Sequence, residues 1–282
     1  MCIVFFQINQ SCTAKHKLII AANRDEYLNR PTQPAGFLAD NPNILCGVDL
    51  QPGVKGGTWF GVNKQGKFAF LTNYLTPKED AFTDKVSRGF IVRNFLENEM
   101  NPHDYIASTL MSREHRPHHF VGGQFTNNCQ NMNVSYFGTH DSSSPLNLDD
   151  GVYALACSTL GTKWRKVNHG SNKFQKVIQN PNSSTKELMD NLFTDVLSDK
   201  TPLYPDALVK KQSGSYLPEE FLKLYCSVMI SGYPDYGTRM QTVLIVVIII
   251  KCTSLRGPLI QIQLNQILQV ILLFQLIAVY KP

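Results

Sequence analysis

MCIVFF (residues 1–6) and KLIIAANRDE (residues 17–26) are the two stretches that decide the fold of this chain. The apolar run behind Cys2 predicts a buried strand, and residues 17–22 predict a second strand that pairs with it as a hairpin. Four hydrogen-bonding side chains, residues 23–26, are predicted to follow directly after this second strand. Because buried polar groups are costly when unpaired, we expect this cluster to be paired or used in chemistry.

Cys2 combines two chemical groups if Met1 is removed. Methionine aminopeptidases act ahead of small residues, so Cys2 is expected to become the mature N-terminus. Its free α-amine would titrate near pH 8, at about 7.7–8.0 when unperturbed. One residue would then supply both the nucleophilic thiol and the general base. The alternative is an ordinary buried cysteine, since free cysteines are among the most buried residue types.

The remaining pattern predicts one layered α+β domain, because strands and helices alternate in groups without an obvious linker or repeat. Short apolar runs predict further strands at residues 44–49, 58–62, 67–72, 120–125, 132–138, 152–156, 225–230 and 240–246. Helical spacing of apolar residues predicts helices at 87–99, 101–111, 163–178 and 185–197. The segment 30–42 is rich in Pro, Gly and Asn, so it is predicted to be a loop.

Composition argues against several classes of partner and cofactor. The net charge of the 282 residues is +5, and the basic residues are scattered, so no nucleic-acid partner is expected. Seven cysteines without a Cys-x-x-Cys spacing are typical of reduced thiols in the cytosol. The opening lacks a basic region and its apolar run ends at Phe6, so no secretory signal is expected.

The histidines give no metal signature. His115, His118 and His119 lack the spacing of a helical zinc pair, and Pro117 interrupts any helix there. We therefore expect a solvated loop at these positions, and neither a metal nor a cofactor is predicted.

The tail, residues 247–282, differs from the rest of the chain. Residues 259–280 contain no charged side chain. Its longest apolar segment is about fourteen residues, short of the roughly 17–25 that span a bilayer, so no transmembrane segment is expected. With permitted codon choices, a shift of the reading frame by one nucleotide converts residues 252–258 into Val-His-Phe-Phe-Glu-Arg-Thr. We hypothesise that the chain from about residue 247 onward is translated out of frame or mis-spliced.

Several separated motifs, in order, resemble the NRDE-domain family of Transport and Golgi organization proteins. They are Met-Cys-Ile-x-Phe-Phe, Ala-Ala-Asn-Arg-Asp-Glu, Gly-Gly-Thr-Trp-Phe-Gly (56–61), Leu-Thr-Asn-Tyr (71–74), Trp-Arg-Lys (164–166) and Tyr-Gly-Thr-Arg (236–239). The resemblance covers roughly residues 1–246, which are expected to form one NRDE domain. It implies a four-layer αββα sandwich similar to the N-terminal nucleophile hydrolases.

The resemblance also implies functions that composition does not show. It implies a cytoplasmic protein with a role in Golgi organisation and protein secretion, and with Golgi and mitochondrial association. Roles in lipid metabolism and haem trafficking follow from it too, with an acyl-CoA, lipid or haem ligand. The alternatives are an N-terminal cysteine hydrolase acting on an amide or thioester through Cys2, and a scaffold acting through protein contacts. The oligomeric state is left open.

Five residues are predicted to converge on one cleft: Cys2, Arg24, Asp25, Asn73 and Arg239. Arg24 and Asp25 would orient the amine and thiol, and Arg24 would lower the thiol pKa so that Cys2 becomes the most reactive thiol. The alternative for this pair is a structural ion pair. Asn73 would donate to an oxyanion, or else form a turn. Arg239 is assigned by the resemblance, which implies a late arginine that closes the nucleophile site.

One position departs from the resembled pattern. Where the family is similar to Gly-Leu-Ser-Asn, residues 154–157 read Ala-Leu-Ala-Cys. An asparagine there would help to hold an oxyanion, and Cys157 has no amide to do so. The departure weakens the expectation of efficient acyl transfer.

Overall fold

The structure is a computed structural model that describes residues 2–11, 13–77, 86–126, 131–214, 216–248, 260–264 and 268–276. For residues 260–264 and 268–276 only the backbone is described. Cys12, Cys129 and Cys252, three of the cysteines in the predicted order of thiol reactivity, lie outside the described residues.

Two antiparallel sheets form the centre of the molecule. The strands are β1 (Cys2–Ile8), β2 (His16–Tyr27), β3 (Thr32–Phe37), β4 (Ile44–Asp49), β5 (Phe60–Asn63), β6 (Lys67–Asn73), β7 (His118–Thr126), β8 (Asn131–Gly138), β9 (Leu146–Asn147), β10 (Gly151–Leu155), β11 (Tyr236–Ile248), β12 (Ile260–Leu264) and β13 (Leu268–Leu276). The first sheet has the order β10-β1-β2-β11-β13-β12, and the second has the order β3-β4-β5-β6-β7-β8-β9.

Six α-helices are described, and two of them continue into one turn of π-helix. They are α1 (Ile91–Glu97), α2 (Pro102–Tyr105, continuing through Ile106–Leu110), α3 (Arg165–Ile178), α4 (Thr185–Asn191, continuing through Leu192–Leu197), α5 (Ala207–Ser213) and α6 (Glu219–Tyr225). A capping box starts α4, in which Ser184 and Glu187 satisfy each other's backbone N–H groups.

The continuous apolar run of β1 is explained by burial on both of its faces. Val4, Phe6 and Ile8 point between the two sheets, where they pack with aromatic residues of β5 and β6. Ile3 and Phe5 point the other way and pack against α3 and α4. A strand whose two faces are both buried reads as a run of hydrophobic residues rather than as an alternation.

The layers follow from three apolar clusters. One lies between the sheets, a second lies between the first sheet and α3–α6, and a third lies between the second sheet and α1–α2. The predicted four-layer αββα sandwich is therefore confirmed, as is the hairpin of the first two strands.

Three predictions about elements were wrong. Residues 23–26 do not follow β2 but lie inside it, because long-range partners satisfy their polar groups. The predicted loop at 30–42 contains β3, which pairs with β4. The predicted strand at 225–230 is the end of α6 and an irregular segment, and its apolar residues are buried under the first sheet as part of a helical layer.

The end of the described chain extends the first sheet. β11 lies between β2 and β13, and it continues past residue 246 to Ile248. The proposed frame shift from about residue 247 thus concerns the segment that supplies the two outer strands on this side of the sheet. Among the described residues, no helix combines the length and apolar character required to span a membrane.

Candidate active site around Cys2

A cavity of about 180 Å³ is lined by the start of β1, the second half of β2 and the end of β6. Cys2, Arg24, Asp25 and Asn73 all line it, although they come from three separate strands. The sequence-predicted residues are thus brought together with one exception, Arg239, which is placed elsewhere. The remaining polar lining is Glu26, Arg30, Asp49, Thr58, Ser87, Arg88 and Arg116.

Cys2 begins β1 and lies directly opposite Arg24 of β2. Its backbone nitrogen donates to the Sγ of Cys157, at 3.4 Å, and the Cys157 thiol lies 3.6 Å from the Cys2 carbonyl oxygen. Cys157 therefore holds the backbone nitrogen that removal of Met1 would convert into the α-amine. This thiol contacts the backbone of Cys2 from the position where the resembled pattern has an asparagine.

The pKa of the Cys2 thiol is raised to about 11, chiefly by burial and then by Asp25 and Cys157, whereas the positive N-terminus and Arg24 act to lower it. A lowered pKa was predicted for this thiol from Arg24 alone, and that prediction was wrong in its direction. The physical reason is that the free-energy cost of taking a thiolate out of water exceeds the stabilisation that the partly neutralised Arg24 guanidinium provides. Cys2 is nevertheless the partly exposed cysteine in the described ranges, while Cys46, Cys157 and Cys226 are buried.

We predict a steep pH dependence for alkylation of Cys2 in the chain that keeps Met1. Because the pKa is about 11, the thiolate fraction and the rate with iodoacetamide should rise about tenfold per pH unit between pH 7 and 10. Peptide mass spectrometry of time points at each pH measures the rate. A plateau already reached near pH 8 would contradict the raised pKa.

Arg24 is buried and is held by several contacts. Its guanidinium stacks on the Trp59 ring, 3.9 Å from the ring centre, and lies 3.9 Å from carboxylate oxygens of both Glu26 and Asp49. Arg24 forms an ion-pair network, and it also lines the cavity beside Cys2. Its position is therefore compatible both with a structural ion pair and with a role at Cys2.

Asp25 lies deeper, in a buried polar cluster. Its carboxylate accepts a hydrogen bond of 2.6 Å from Thr238 Oγ1. Burial raises the pKa of this carboxyl, and the buried ammonium of Lys166 opposes that effect. Lys166 Nζ itself donates to the Tyr225 carbonyl oxygen at 2.7 Å and lies over the Tyr225 ring. Asp25 is thus an acidic group held behind Cys2 by Thr238 and balanced by the charge of Lys166.

Asn73 ends β6, and its side chain makes no hydrogen bond to any residue that the structure describes. Its amide is therefore available to donate into the cavity. Arg239 instead donates to the backbone carbonyls of Tyr27 and Arg30, which fixes the turn between β2 and β3. It lies outside the cavity lining, and its contacts indicate a positioning role.

The predicted solvated histidine loop was wrong. His118 and His119 are buried in β7, where His119 Nδ1 pairs with the Tyr136 hydroxyl at 2.8 Å. Tyr136 in turn donates to Asp141 at 2.6 Å. Within the described ranges, no group of three or more His, Cys, Asp or Glu side chains is arranged to hold a metal ion.

Reasoning from sequence missed several residues of this site. Arg88 and Arg116 lie in segments without a distinctive local pattern, and only the fold brings them to the cavity. Trp59 was visible in the Gly-Gly-Thr-Trp motif, whose Gly57 is needed because a Cβ there would lie 2.3 Å from the Gly89 carbonyl oxygen. Cys157 was noticed only as a departure from a pattern.

The sequence profile of the Transport and Golgi organisation 2 family matches residues 1–253. The human Transport and Golgi organization protein 2 homolog is 32% identical over 249 residues, which cover 87% of this chain and 88% of that protein. Transport and Golgi organization protein 2 of Drosophila melanogaster is 26% identical over 261 residues, with the same coverage of 87% and 88%.

Two solved structures show limited likeness. An N-acylethanolamine-hydrolyzing acid amidase ortholog of Caenorhabditis elegans has a TM-score of 0.44 at 12% identity, covering 68% of this chain and 86% of that one. The C2A mutant of a conjugated bile acid hydrolase from Clostridium perfringens has a TM-score of 0.37 at 10% identity, covering 86% and 85%. From the profile match and the human relative, we conclude that this chain belongs to the Transport and Golgi organisation 2 family.

Proposed function

We propose that this chain is an N-terminal cysteine hydrolase that cleaves an amide or a thioester through Cys2 after removal of Met1. The observation that carries the proposal is the position of Cys2 in the cavity. Its thiol shares that cavity with Asp25 and Asn73, and its backbone nitrogen is held 3.4 Å from Cys157 Sγ. This arrangement supports the proposal, because a thiol, the nitrogen that would become the free amine and a side-chain amide belong to residues of one cavity.

The mechanism uses the free amine that removal of Met1 creates. The Cys2 amine takes the thiol proton while the sulfur attacks the substrate carbonyl carbon, so a buried thiolate need not persist at neutral pH. Asn73 donates its amide N–H to the developing oxyanion. The proton then passes to the departing amine or thiol, and water hydrolyses the thioester formed on Cys2. Asp25 stabilises the ammonium form of the amine during these steps.

The decisive experiment compares two preparations of the same chain. Expression with methionine aminopeptidase inhibited keeps Met1, whereas ordinary expression should remove it, and intact-mass spectrometry identifies each form. We expect release of thiophenol from S-phenyl thioacetate by the Met1-free form only, because a retained Met1 leaves an amide nitrogen in place of the base. Equal turnover by both forms, or none by either, would refute the hydrolase.

A binding module is the second candidate, and two observations favour it. Burial raises the pKa of the Cys2 thiol to about 11, and Cys157 stands where the resembled pattern has an asparagine. In that case the cavity holds an acyl-CoA, a lipid or haem without turnover. The absence of turnover in the Met1-free form, together with saturable binding of one of these ligands, would establish it.

Membership of the family supports a cellular setting for either activity. The relatives are named for transport and Golgi organisation, and we propose that this chain serves Golgi organisation and protein secretion from the cytoplasm. Mitochondrial association, lipid metabolism and haem trafficking are part of the same proposal, which fractionation and immunofluorescence of the tagged chain would test.

A further inference from the structure

The two walls of the Cys2 cavity differ in how their charges are balanced. On the β2 side, the Arg30 guanidinium lies 2.8 Å from Asp49 and 3.7 Å from Glu26, and Arg24 lies 3.9 Å from the same two carboxylates. The cations and anions of this wall therefore neutralise one another. A ligand gains little there from an added negative charge, because each guanidinium already has its counterion.

A second wall, defined by Arg88 and Arg116, lacks such partners. Arg88 and Arg116 both line the cavity, and neither has a carboxylate within 4 Å among the residues that the structure describes. Arg88 is partly buried, while Arg116 is exposed at the mouth. The pKa of Arg88 is lowered to about 10, chiefly by burial and then by the positive charge of Arg116, while Cys157 and the more distant Glu26 act in the opposite direction. At neutral pH both guanidinium groups stay charged, so this wall is positive.

Arg88 is also held in an orientation suited to binding. Its Nη1 donates to the Pro117 carbonyl oxygen at 2.6 Å, which uses one of the five N–H donors of a guanidinium. The other donors make no hydrogen bond within the part of the chain that the structure describes. The planar guanidinium is thus held by one N–H group, and its other N–H groups can donate to two oxygens of a carboxylate or phosphate.

We propose that Arg88 and Arg116 form an anion-binding wall, and that the substrate cleaved at Cys2 carries a carboxylate or phosphate group that binds there. The identity of the bound molecule as a substrate rests on the proposed function. The anion site itself does not, because a ligand held without turnover would meet the same two cations. An anion would first meet the exposed Arg116 and then bind Arg88. Its negative charge would balance the positive charges of these two guanidinium groups.

A structural role for Arg88 is the competing explanation. Its bond to Pro117 joins the segment before α1 to the segment before β7, next to the backbone bonds between Val86 and Arg116. In that case the arginine would serve folding only, and the charge of a small molecule would not affect its reaction at Cys2. The two explanations therefore differ in charge selectivity, which can be measured without any knowledge of the substrate.

The test compares alkylation of Cys2 by iodoacetate and iodoacetamide, which share a reactive group and differ in charge. The ratio of the two rates is divided by the same ratio for free glutathione. We expect this normalised ratio to be about 10 in the unaltered chain, and to fall at least about fivefold in Arg116→Gln and in Arg88→Gln. Arg113→Gln is the matched control, because Arg113 is exposed on the same segment and does not line the cavity.

Protection distinguishes the two anions. At constant ionic strength, sodium acetate that slows alkylation by iodoacetamide indicates a carboxylate subsite, and inorganic phosphate that does so indicates a phosphate subsite. A normalised ratio near 1 that neither arginine variant changes would overturn the proposal. Failure of thioester hydrolysis leaves this ratio unaffected, so the two proposals fail separately.

A second measurement covers the case in which Cys2 resists both reagents. The melting temperature is then recorded in sodium succinate, sodium phosphate and sodium chloride of equal ionic strength. A rise in succinate or phosphate over chloride that is lost in Arg116→Gln supports the anion site. The same melting temperature in all three salts overturns it. Arg116 is exposed, so its replacement should not impair folding.

Discussion

Replacing Cys2 by alanine is expected to lower turnover of S-phenyl thioacetate by about 10³-fold or more in the Met1-free protein. The proposed mechanism forms a thioester on the Cys2 sulfur, and alanine offers no atom to which the acyl group can be transferred. Release of thiophenol, followed by absorbance under saturating substrate, measures the effect. The loss should appear in kcat, because the cavity that binds the substrate remains.

Two further variants make this result specific. Cys2→Ser keeps a nucleophile of higher pKa, so it should retain a small activity above that of the alanine variant. Cys226→Ala removes a buried thiol that does not line the cavity, and its folded fraction should turn over at the unaltered rate. If Cys2→Ala keeps most of the activity, the nucleophile lies elsewhere and the hydrolase mechanism given above is wrong.

Replacing Lys166 by methionine is expected to lower the stability of the protein by about 3–5 kcal/mol. Lys166 and Asp25 are both almost completely buried, at 2% and 1% exposure, and the ammonium is the largest charge that opposes the raised pKa of the Asp25 carboxyl. Methionine fills a similar volume but leaves the carboxylate without its buried cation. The melting temperature should fall by about 10 °C as a consequence.

The loss of stability in Lys166→Met should increase with pH. Without the ammonium, the pKa of Asp25 in the folded protein rises further, so the folded state keeps a proton that the unfolded chain loses above about pH 4. The destabilisation therefore grows as the pH rises above that value, and it should be smaller at pH 5 than at pH 8. Melting temperatures of both proteins at the two pH values test this sign.

Matched controls separate charge from packing. Lys163→Met changes an exposed lysine just before the same helix and should shift stability by no more than about 0.5 kcal/mol. The double variant Lys166→Met with Asp25→Asn removes both charges and should recover part of the loss. An equal deficit at both pH values with no recovery in the double variant would show that Lys166 acts through packing alone.

The proposals concern two pairs of charged residues. Buried Asp25 and Lys166 lie behind Cys2, whereas partly buried Arg88 and exposed Arg116 line the cavity without a carboxylate within 4 Å in the part of the chain that the structure describes. The first pair affects stability as well as chemistry, because both groups are buried. The second pair affects which molecules approach the thiol, because an exposed cation acts chiefly on association and orientation.

Local sequence patterns predicted the central strands and four of the residues that line the cavity, Cys2, Arg24, Asp25 and Asn73. The runs at residues 3–6 and 18–22 are apolar without interruption, a composition typical of strands that are buried on both faces. Cys2, Arg24 and Asp25 could be placed together because a hairpin of two adjacent strands fixes their register locally. Asn73 followed from its position at the end of another apolar strand.

Only the tertiary structure decided how the polar residues are used. Residues 23–26 were predicted to follow β2 because buried polar groups are costly, yet Asn23 donates to the carbonyls of Leu197 and Val228, far along the chain. Cys157 meets Cys2 across 155 residues of sequence separation. A polar group is tolerated inside a protein when a partner satisfies it, and such partners come from distant segments that no local pattern identifies.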